Sequence, residues 1–540
     1  TGDGSGLTNL PPGGNTFTAT ADGALPTNKP VKINSNGKVS EIKTIESQAS
    51  SAVTETWSAR ATTEQVQDFR HMLAFDPDND ITLEAYVQSA SPYRLRSQIW
   101  KKHASNVGEL VKQGSVADIT SVFAEDIDMC WLSSNRFVVV FRDQTNDKSM
   151  IKVGTLGNLS GTPTISWGSD YDLDGQSGTD YRAHKICKIG ANRVVILCRA
   201  HDSSPYQHRW TVDKPGVIVG DITNDDEWTY RNAEQLSTTD LASNGYYDTA
   251  IRYSTTDDLC LCTMNASGNS AVIAIKVASG TSATITKSGQ DAQLYHVASK
   301  WHTSVYHSGS NTFVNAFRAT SSTNTITCKI TVNSSTLAVT KGNTQSIANN
   351  TSDGLTLAVS ELGGLYLIYL HSYNLYYISD HDYNGGDPSW SSSTHINPTF
   401  GSGKCEWINT LRGVISADYD KYLYISFMHK GDGSTYQRYG YMCSIATTVQ
   451  TPNLSQAGDV VGWPKQAYSD GDTATILCDG NVKSGLSGLT IGSSYYVKKD
   501  GSIATSTDFT SGFLGNTPYA GRAIASDKII IGHPYVMNGT

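Results

Sequence analysis

A hairpin-like unit recurs seven times in this 540-residue chain and limits the folds that the chain can adopt. Each copy has an apolar run, a polar turn with Asn, Asp or Gly, and a second apolar run, as in DMCWLSSNRFVVVFR and KICKIGANRVVILCR. Asn, Asp and Gly tolerate the positive φ of tight hairpin turns. With a mean spacing of about 57 residues, the copies end at Val87, Arg142, Arg199, Met264, Arg318, Leu370 and Met428.

A repeat of this length accommodates four short strands and their turns, because strands average about five to six residues. Seven such units without intervening helical patterns predict an all-β chain: a seven-bladed β-propeller flanked by small β-rich N- and C-terminal segments. A β-sandwich or a set of Greek-key domains is the alternative. The predicted domains are residues 1–50, 51–450 and 451–540. The strand that closes the propeller is expected before His71 or after Met428.

Composition supports the all-β prediction and excludes several classes of protein. Charged residues are only 17% of the chain, and short runs of Val, Ile, Tyr and Thr dominate. The net charge is -9 with no basic block, so nucleic acid is not an expected partner. The longest apolar stretch, GLYLIYLHSYNLYYI, is too short and too polar for membrane insertion. The nine cysteines lack a disulfide-like spacing, and those in strand-like runs are expected to be buried and reduced.

Two residue types recur at fixed places in the repeat. A tryptophan follows the hairpin in three copies, at Trp167, Trp228 and Trp390. Packing between neighbouring units is favoured for these rings over stacking on sugars. An arginine ends the second strand of three hairpins, at Arg142, Arg199 and Arg318. Such a set could clamp the carboxylate of an acidic sugar, but solvated positions on the repeat are favoured.

Two acidic loops match the opening D-x-[DN]-x-[DN]-G of a calcium-binding loop. Oxygens at the first, third and fifth positions can converge on one hard cation, which makes calcium the candidate cofactor. These positions are Asp170, Asp172 and Asp174 in the first loop and Asp380, Asp382 and Asn384 in the second. The twelfth position holds Tyr181 or Ser391 instead of the bidentate Glu, and Asp180 or Asp387 could substitute. The alternative is an Asp-rich surface turn.

No catalytic motif is evident, so enzyme activity is not expected. The chain lacks HExxH, GxSxG and P-loop patterns, and no unit carries the Ser-x-Asp-x-Gly-x-x-Trp repeat of sialidases. A propeller glycosidase acting on host polysaccharide is the alternative, because glycoside hydrolysis uses a suitably spaced pair of carboxylates. Candidates are Glu84, Asp143, Asp202 and Glu361, which the sequence does not place around one channel.

The two ends of the chain carry motifs of a known family. GSGLTNLPPGG resembles an element that recurs in bacteriophage tail fibres. SGLTIGSSYYVKKDGSIATS followed by AGRAIASDKIII resembles a pattern common in phage tail proteins. The matching residues are Gly488, Leu489, Thr490, Tyr495, Tyr496, Val497, Asp500 and Gly501 in the first part, and Ala520, Gly521, Ala523, Ser526 and Lys528 in the second. Ile491 departs from the pattern, which often has Pro there.

This resemblance implies a structural protein of the virion tail, synthesised in the host cytoplasm. A fibre or fibre-like protein is expected, whose propeller recognises a host-surface glycan or protein or docks to other tail proteins. A homo-oligomer is expected, with a trimer favoured for a fibre and a hexamer for a tail nozzle. A nozzle or adaptor subunit without a receptor role is the alternative. The glycine-rich opening TGDGSGLTNLPPGG is then expected to face the virion or a neighbouring subunit.

Overall fold

A computed structural model of the chain contains strands, turns and irregular segments. It describes residues 16–34, 36–42, 45–48, 55–57, 66–88, 93–102, 110–133, 135–176, 179–201, 209–241, 249–266, 269–289, 292–295, 299–320, 324–347, 351–360, 363–371, 374–380, 383–396, 404–415, 420–430, 438–446, 448–451, 460–498, 501–505 and 519–532. None of these residues is helical. The described part of the chain accordingly contains no candidate membrane-spanning helix. The all-β prediction is therefore confirmed.

The chain divides into two compact units, one formed by residues 1–47 with 449–540 and the other by residues 48–448. The first strands of the chain are β1 (Thr16–Thr20), β2 (Val31–Ile33), β3 (Val39–Glu41) and β4 (Ile45–Gln48). The larger unit begins within three residues of the boundary that the sequence predicts at residue 51 and ends within two of residue 450.

The first half of the larger unit contains eighteen strands. Seventeen of them form three complete sheets, and the first one joins a later sheet. They are β5 (Glu55–Trp57), β6 (Val66–Asp76), β7 (Ile81–Gln88), β8 (Arg94–Lys102), β9 (Leu110–Ser133), β10 (Arg136–Asp143), β11 (Lys148–Gly157), β12 (Thr164–Trp167), β13 (Tyr171–Asp172), β14 (Tyr181–Lys188), β15 (Arg193–Ala200), β16 (Pro215–Ile222), β17 (Trp228–Gln235), β18 (Thr249–Ser254), β19 (Leu259–Ala266), β20 (Asn269–Val277), β21 (Ile285–Lys287) and β22 (Ala292–Tyr295). Sheet A consists of β6–β13, sheet B of β14–β17 and sheet C of β18–β22. The long strand β9 pairs with β8 through its first part and with β10 through its second, so sheet A holds two of the predicted units.

The second half of the larger unit repeats the four-stranded pattern. Its strands are β23 (Ser299–His307), β24 (Thr312–Ala319), β25 (Thr325–Val332), β26 (Val339–Ile347), β27 (Thr351–Val359), β28 (Leu365–His371), β29 (Asn374–Asp380), β30 (Thr394–Ile396), β31 (Lys404–Ile415), β32 (Asp420–Lys430) and β33 (Arg438–Ala446). Sheet D consists of β23–β26, sheet E of β27–β30, and sheet F of β31–β33 with β5. The outer strand of sheet F therefore comes from before His71, one of the two places that the sequence indicates.

The smaller unit joins the two ends of the chain. Its remaining strands, after β34 (Thr448–Thr451), are β35 (Val460–Pro464), β36 (Thr473–Leu477), β37 (Val482–Ser484), β38 (Ser494–Val497), β39 (Ile503–Ala504), β40 (Tyr519–Ala525) and β41 (Lys528–Ile531). The order β1-β36-β35-β2-β3 forms one sheet and β37-β41-β40-β38-β39 forms another, while β34 pairs with β4. The segments 1–50 and 451–540, predicted as separate domains, thus contribute to one unit.

Hairpin turns in the larger unit follow the turn chemistry of the sequence. A residue in the left-handed region ends the turn between the first two strands of five copies, namely Asp80 (φ 52°), Asn135 (φ 67°), Asp258 (φ 53°), Asn311 (φ 51°) and Gly363 (φ 92°). Asn, Asp and Gly adopt this conformation at lower cost than other residues. The same residue types that reveal the repeat in the sequence therefore shape its turns.

The central residues of the second strand β15 are apolar because both of its faces are buried. In β15, Val194, Ile196 and Cys198 pack in one cluster with residues of sheet A. Val195 and Leu197, on the opposite face, pack in a second cluster with residues of sheet C. Successive side chains of a strand point to opposite faces, so two-sided burial requires a continuous apolar run.

The described cysteines of the strand-like runs fit the same apolar layers. Cys198, Cys260, Cys262 and Cys328 are buried and unpaired, and Cys130 is partly buried. The thiols of β14 and β19 meet across the interface of sheets B and C. Burial raises the pKa of Cys260 and Cys262 well above the ordinary value, which keeps these thiols protonated. The prediction that such cysteines serve as small apolar residues is confirmed for these four.

The recurring tryptophans pack between successive repeat units, as the sequence predicts. Each indole N–H donates a hydrogen bond to a residue about one repeat earlier, which is 70, 55 and 63 positions back in the chain. The pairs are Trp167 with Ser97 Oγ at 3.0 Å, Trp228 with the Leu173 carbonyl at 3.0 Å, and Trp390 with Thr327 Oγ1 at 2.9 Å. Trp228 also covers Gly220, where a Cβ would collide with the ring. These rings are therefore structural.

Candidate functional site

Two of the three aspartates of the first predicted calcium loop, Asp170 and Asp174, bind protein groups. Asp170 forms an ion pair with Lys152, with 3.0 Å between Oδ1 and Nζ. Asp172 lies in β13, opposite Met150 of β11. Asp174 is fully buried and accepts hydrogen bonds from Gln176 N at 3.0 Å, Thr179 Oγ1 at 2.8 Å and Tyr181 OH at 2.9 Å. These contacts fit the turn that was the alternative interpretation of this loop.

The second predicted calcium loop contains similar turn contacts. Asp380 Oδ2 accepts a hydrogen bond from Ser389 N at 2.7 Å, and Asn384 Oδ1 accepts one from Gly386 N at 3.3 Å. Asp382 lies outside the described residues. Within the described ranges, no group of three or more His, Cys, Asp and Glu side chains is placed to hold a metal ion. Calcium binding stays a prediction, without a described cluster of these side chains to support it.

Two of the three recurring arginines are buried, so the prediction that they are solvated is wrong for Arg142 and Arg199. Their exposed fractions are 3% and 4%. Both lie at the ends of second strands, β10 and β15, beside acidic residues that precede or follow neighbouring strands. A buried guanidinium is stable only when such carboxylates compensate its charge. The sequence repeat marks these positions but does not show the carboxylates that surround them.

Arg142 is held by three carboxylates. Its Nε and Nη2 donate to the two oxygens of Asp180 at 2.7 and 3.2 Å, which is a bidentate pair. Its Nη1 donates to Glu125 Oε2 at 3.0 Å, and Nη2 also contacts Asp147. Burial alone lowers the pKa of Arg142, but the hydrogen bonds and charge of Asp180 raise it above the ordinary value. The guanidinium therefore stays charged and joins sheet A to the start of sheet B.

Two strand irregularities place a carboxyl and an imidazole next to this pair. Asp126 in β9 and Ala183 in β14 both have positive φ, 49° and 58°, where the pairing register shifts. Ala183 N donates to Asp126 Oδ2 at 3.2 Å. His184 Nδ1 lies 3.1 Å from the Asp126 carbonyl oxygen, and its Nε2 lies 3.2 Å from Ser149 Oγ. Non-glycine residues with positive φ store strain and occur often at functional sites.

Burial shifts the acidity of both groups toward their neutral forms. It raises the pKa of Asp126 to about 7, with the charge of Glu125 adding to the rise and the Ala183 N–H opposing it. Burial lowers the pKa of His184 to about 4, although its bond to the Asp126 backbone opposes the change. A carboxyl that titrates near neutrality beside ionised carboxylates can hold or release a proton in the physiological range.

An imidazole and two further arginines complete the group. His201 Nδ1 lies 3.1 Å from Asp180 Oδ2, and the side chain of His201 is 28% exposed. Arg199 Nη1 lies 3.6 Å from Asp213 Oδ1, and Arg182 is its cross-strand neighbour. We name this set the ionic cluster: Glu125, Asp126, Arg142, Asp180, Arg182, His184, Arg199 and His201. It combines anionic and cationic groups and a partly exposed edge, an arrangement suited to polar ligands.

Two of the four carboxylates proposed for a glycosidase from the sequence, Glu84 and Asp143, have other partners than this cluster. Glu84 is fully buried and accepts a hydrogen bond from Trp100 Nε1 at 2.8 Å. Asp143 Oδ1 accepts a hydrogen bond from Thr145 N at 2.9 Å, within the turn that follows β10. Asp202 and Glu361 lie outside the described residues. Arg142, Arg199 and Asp180 stand out in the sequence, but Asp126 and His184 were missed because nothing local in the sequence marks a strand irregularity.

Comparison with known proteins gives only distant likenesses. No protein-family model and no curated protein matches the chain. A subtype N10 neuraminidase-like protein of A/little yellow-shouldered bat/Guatemala is similar at 9% identity and a TM-score of 0.36, over 73% of this chain and 100% of that one. The periplasmic gluconolactonase of Pseudomonas aeruginosa is similar at 11% identity and 0.39, over 71% and 96%. The hemagglutinin-neuraminidase of parainfluenza virus 5 is similar at 5% identity and 0.40, over 75% and 95%. Likenesses this distant carry no information about the chemistry of this chain.

Proposed function

We propose that this chain is a structural protein of a phage virion tail that presents its larger unit for recognition of the host surface. The observation that carries the proposal is the smaller unit, where the tail-type motifs meet the N-terminal segment. Leu489, Tyr495 and Val497 of the motif share a buried cluster with Ile42 and Trp463. The larger unit is then a long insertion between two parts of a tail-type unit, a position suited to a displayed domain.

The motif glycines are needed by the backbone of this unit. Gly501 has a φ of 72°, and a Cβ there would collide with the carbonyl oxygen of Ile42. Gly521 has a φ of 142°, and a Cβ there would collide with the carbonyl oxygen of Ile530. Only glycine permits such close backbone approach at positive φ. The resemblance therefore concerns residues that determine the fold of the unit, which supports a shared architecture with tail proteins.

We also propose that the larger unit closes into a seven-bladed β-propeller. Supporting contacts link the first strands in a cyclic order: β6 to β9, β9 to β14, β14 to β18, β18 to β23, β23 to β27, β27 to β31, and β31 back to β6. The pairing of β5 with β33 adds a strand from the start of the unit to its last sheet. Closure of this kind protects sheet edges from pairing with other chains.

In this proposal the ionic cluster supplies part of the recognition surface. Its residues lie at one end of the sheets, where the first strand of a repeat unit begins and the second strand ends, as β14 and β15 do. His201, which is 28% exposed, offers an imidazole at this surface. Such a group suits hydrogen bonding to a host glycan or to polar side chains of a neighbouring tail protein. The oligomer expected for a fibre is a trimer, whereas a nozzle or adaptor without a receptor role would be a hexamer.

Antibody labelling tests the tail assignment. Antibodies raised against the purified chain should decorate the tails of intact virions of the encoding phage in negative-stain micrographs. Preimmune serum and a phage lacking the gene serve as controls. Labelling confined to infected cells, with unlabelled virions, would refute the assignment.

Light scattering of the purified chain separates the fibre alternative, with three copies, from the nozzle alternative, with six.

A glycosidase is the second candidate, and one observation favours it. Asp126 has a pKa of about 7 and lies next to Glu125, whose carboxylate binds Arg142 at 3.0 Å. A carboxyl with a raised pKa beside a second carboxyl group is one requirement for glycoside hydrolysis, which also needs a suitable spacing of the pair. Incubation with capsule or surface polysaccharide of the host should then release new reducing ends, and Asp126→Asn should abolish their release. Absence of reducing ends with the unaltered chain would exclude this candidate for the polysaccharides used.

A further inference from the structure

A second polar site lies at the end of β15 opposite the ionic cluster. A cleft of about 500 Å³ opens there between sheets B and C. Its polar lining includes Asn192, Arg193, Asp221, Arg231 and Asp258. A volume of this size is typical of clefts that bind small molecules, which range from about 300 to 1,000 Å³. The cleft is separate from the ionic cluster, since Arg193 begins β15 and Arg199 lies near its end.

One arginine builds the wall of this cleft and has little capacity left for a ligand. Arg193 donates from Nε and Nη2 to the two oxygens of Asp221, at 2.6 and 3.0 Å. It also donates to the carbonyl oxygens of Ala278 and Gly280, at 2.8 and 3.1 Å, in the turn that follows β20. All three of its nitrogens are thus engaged. Arg193 fixes Asp221 and ties sheet B to the neighbouring turn of sheet C.

A second arginine shares the same carboxylate and keeps donors for another partner. Arg231 Nε donates to Asp221 Oδ2 at 2.7 Å. Among the described residues, the hydrogen bond and the ion pair of this side chain both use Nε, and the side chain is 29% exposed. Arg193 and Arg231 therefore share the carboxylate of Asp221, and only Arg231 keeps terminal N–H groups for a further partner. A planar guanidinium with exposed N–H groups is well suited to bind a carboxylate.

The rest of the lining suits the hydroxyl groups and carbon face of a sugar ring. Asp258 Oδ1 accepts a hydrogen bond from Tyr253 OH at 2.8 Å, which leaves Oδ2 for a ligand hydroxyl. Asn224 and Ser279 add amide and hydroxyl groups to the lining. Ile189 and Val277 provide apolar surface. A few polar groups among apolar ones fix the orientation of a small ligand.

We propose that this cleft binds a sugar carrying a carboxylate, with the carboxylate on Arg231 and ring hydroxyls on Asp258 and Asn224. The site deepens the proposed recognition function by naming the class of ligand. The site rests on the proposed recognition function only for where the sugar comes from, the host surface. Whether the sugar binds depends on the residues of the cleft. A virion that labels at its tail without binding acidic sugar would refute this site alone.

Isothermal titration of the full chain with D-glucuronate, D-glucose and glucose 6-phosphate tests the proposal. Glucuronate should bind saturably, and about tenfold tighter than glucose, because its carboxylate adds a charge-assisted hydrogen bond to Arg231; tenfold corresponds to about 1.4 kcal/mol. Glucose that binds as tightly as glucuronate would contradict a role for the carboxylate. Tighter binding of glucose 6-phosphate would assign the site to phosphate instead. Absence of saturable binding would overturn the proposal.

Variants locate the site on the chain. Arg231→Gln should weaken glucuronate binding about tenfold while leaving glucose binding unchanged. Arg252→Gln is the matched control, since Arg252 is an exposed arginine of β18 outside the lining. It should bind glucuronate like the unaltered chain. Melting curves verify that both variants are folded. Equal loss of binding in the two variants, or no loss in Arg231→Gln, would refute the site.

Discussion

Near the two ends of β15, two arginines bind different numbers of carboxylates. At one end, the buried Arg142 meets the carboxylates of Glu125, Asp147 and Asp180. At the other, Arg193 and Arg231 share the single carboxylate of Asp221. An arginine whose nitrogens are all bound, such as Arg142, is a structural tie, whereas Arg231 keeps donors for a ligand. The number of donors left on the guanidinium, more than the presence of arginine, therefore distinguishes a group that holds the fold from one that can bind a ligand.

The largest expected effect is at the saturated arginine. Arg142→Met leaves the buried Asp180 and Glu125 without their cation and should lower the free energy of unfolding by about 3–5 kcal/mol. Urea denaturation at pH 7 measures the loss. Arg252→Met, at an exposed arginine, is the control and should change stability by less than about 0.5 kcal/mol. A loss below 1 kcal/mol for Arg142→Met would contradict its role as a tie.

The next largest effect is a loss of stability in acid. His184 has its pKa lowered to about 4 from an ordinary 6.5, so the folded chain disfavours its protonation. The stability that depends on neutral His184 is present above pH 6.5 and is lost as the pH falls toward 4, by about 3 kcal/mol. His184→Gln should remove this part of the pH dependence in urea titrations at pH 7 and pH 4. An unchanged dependence would refute the assignment.

A smaller effect of opposite sign is expected at Asp126. Its pKa is raised to about 7 from 3.8, so the folded chain favours the protonated form. The corresponding stability is present below pH 3.8 and is lost as the pH rises through 7. Because the side chain of Asp126 is partly exposed, water screens part of this free-energy difference. Asp126→Asn should therefore stabilise the chain by about 2 kcal/mol at pH 8 and leave it unchanged at pH 4. Destabilisation at pH 8 would show that the ionised carboxylate is required.

The smallest effect on stability is expected at the shared-acid end. Arg231→Gln removes a partly exposed ion pair while Arg193 still holds Asp221, so the loss should be less than about 1 kcal/mol. Thermal melting of this variant beside Arg142→Met gives the direct contrast. If the two variants lose equal stability, the two ends of β15 do not differ in the way proposed.

Local sequence chemistry predicts the turns well. Asn135, Asp258 and Asn311 adopt the left-handed conformation that their residue types indicate. The burial of Trp228 between repeat units also follows from its recurrence. These features depend on a few neighbouring residues or on the repeat itself, both of which can be read from one sequence.

Features built by distant residues were not predictable. Two of the three acids that bind Arg142, Glu125 and Asp180, lie 17 and 38 positions away and meet it only in the folded chain. The pairing of β1 with β36, Thr16 opposite Leu477, joins segments from opposite ends of the chain. No periodicity or motif encodes either contact, because each depends on tertiary packing.

Electron cryo-microscopy of intact virions tests the central proposal most directly. The density of the tail should contain a closed ring of seven four-stranded sheets, connected by two chain crossings to a small β unit bound to the tail. A trimer of such rings would fit a fibre, and a sixfold arrangement would fit a nozzle. An open row of sheets, or tail density without this chain, would contradict the proposal.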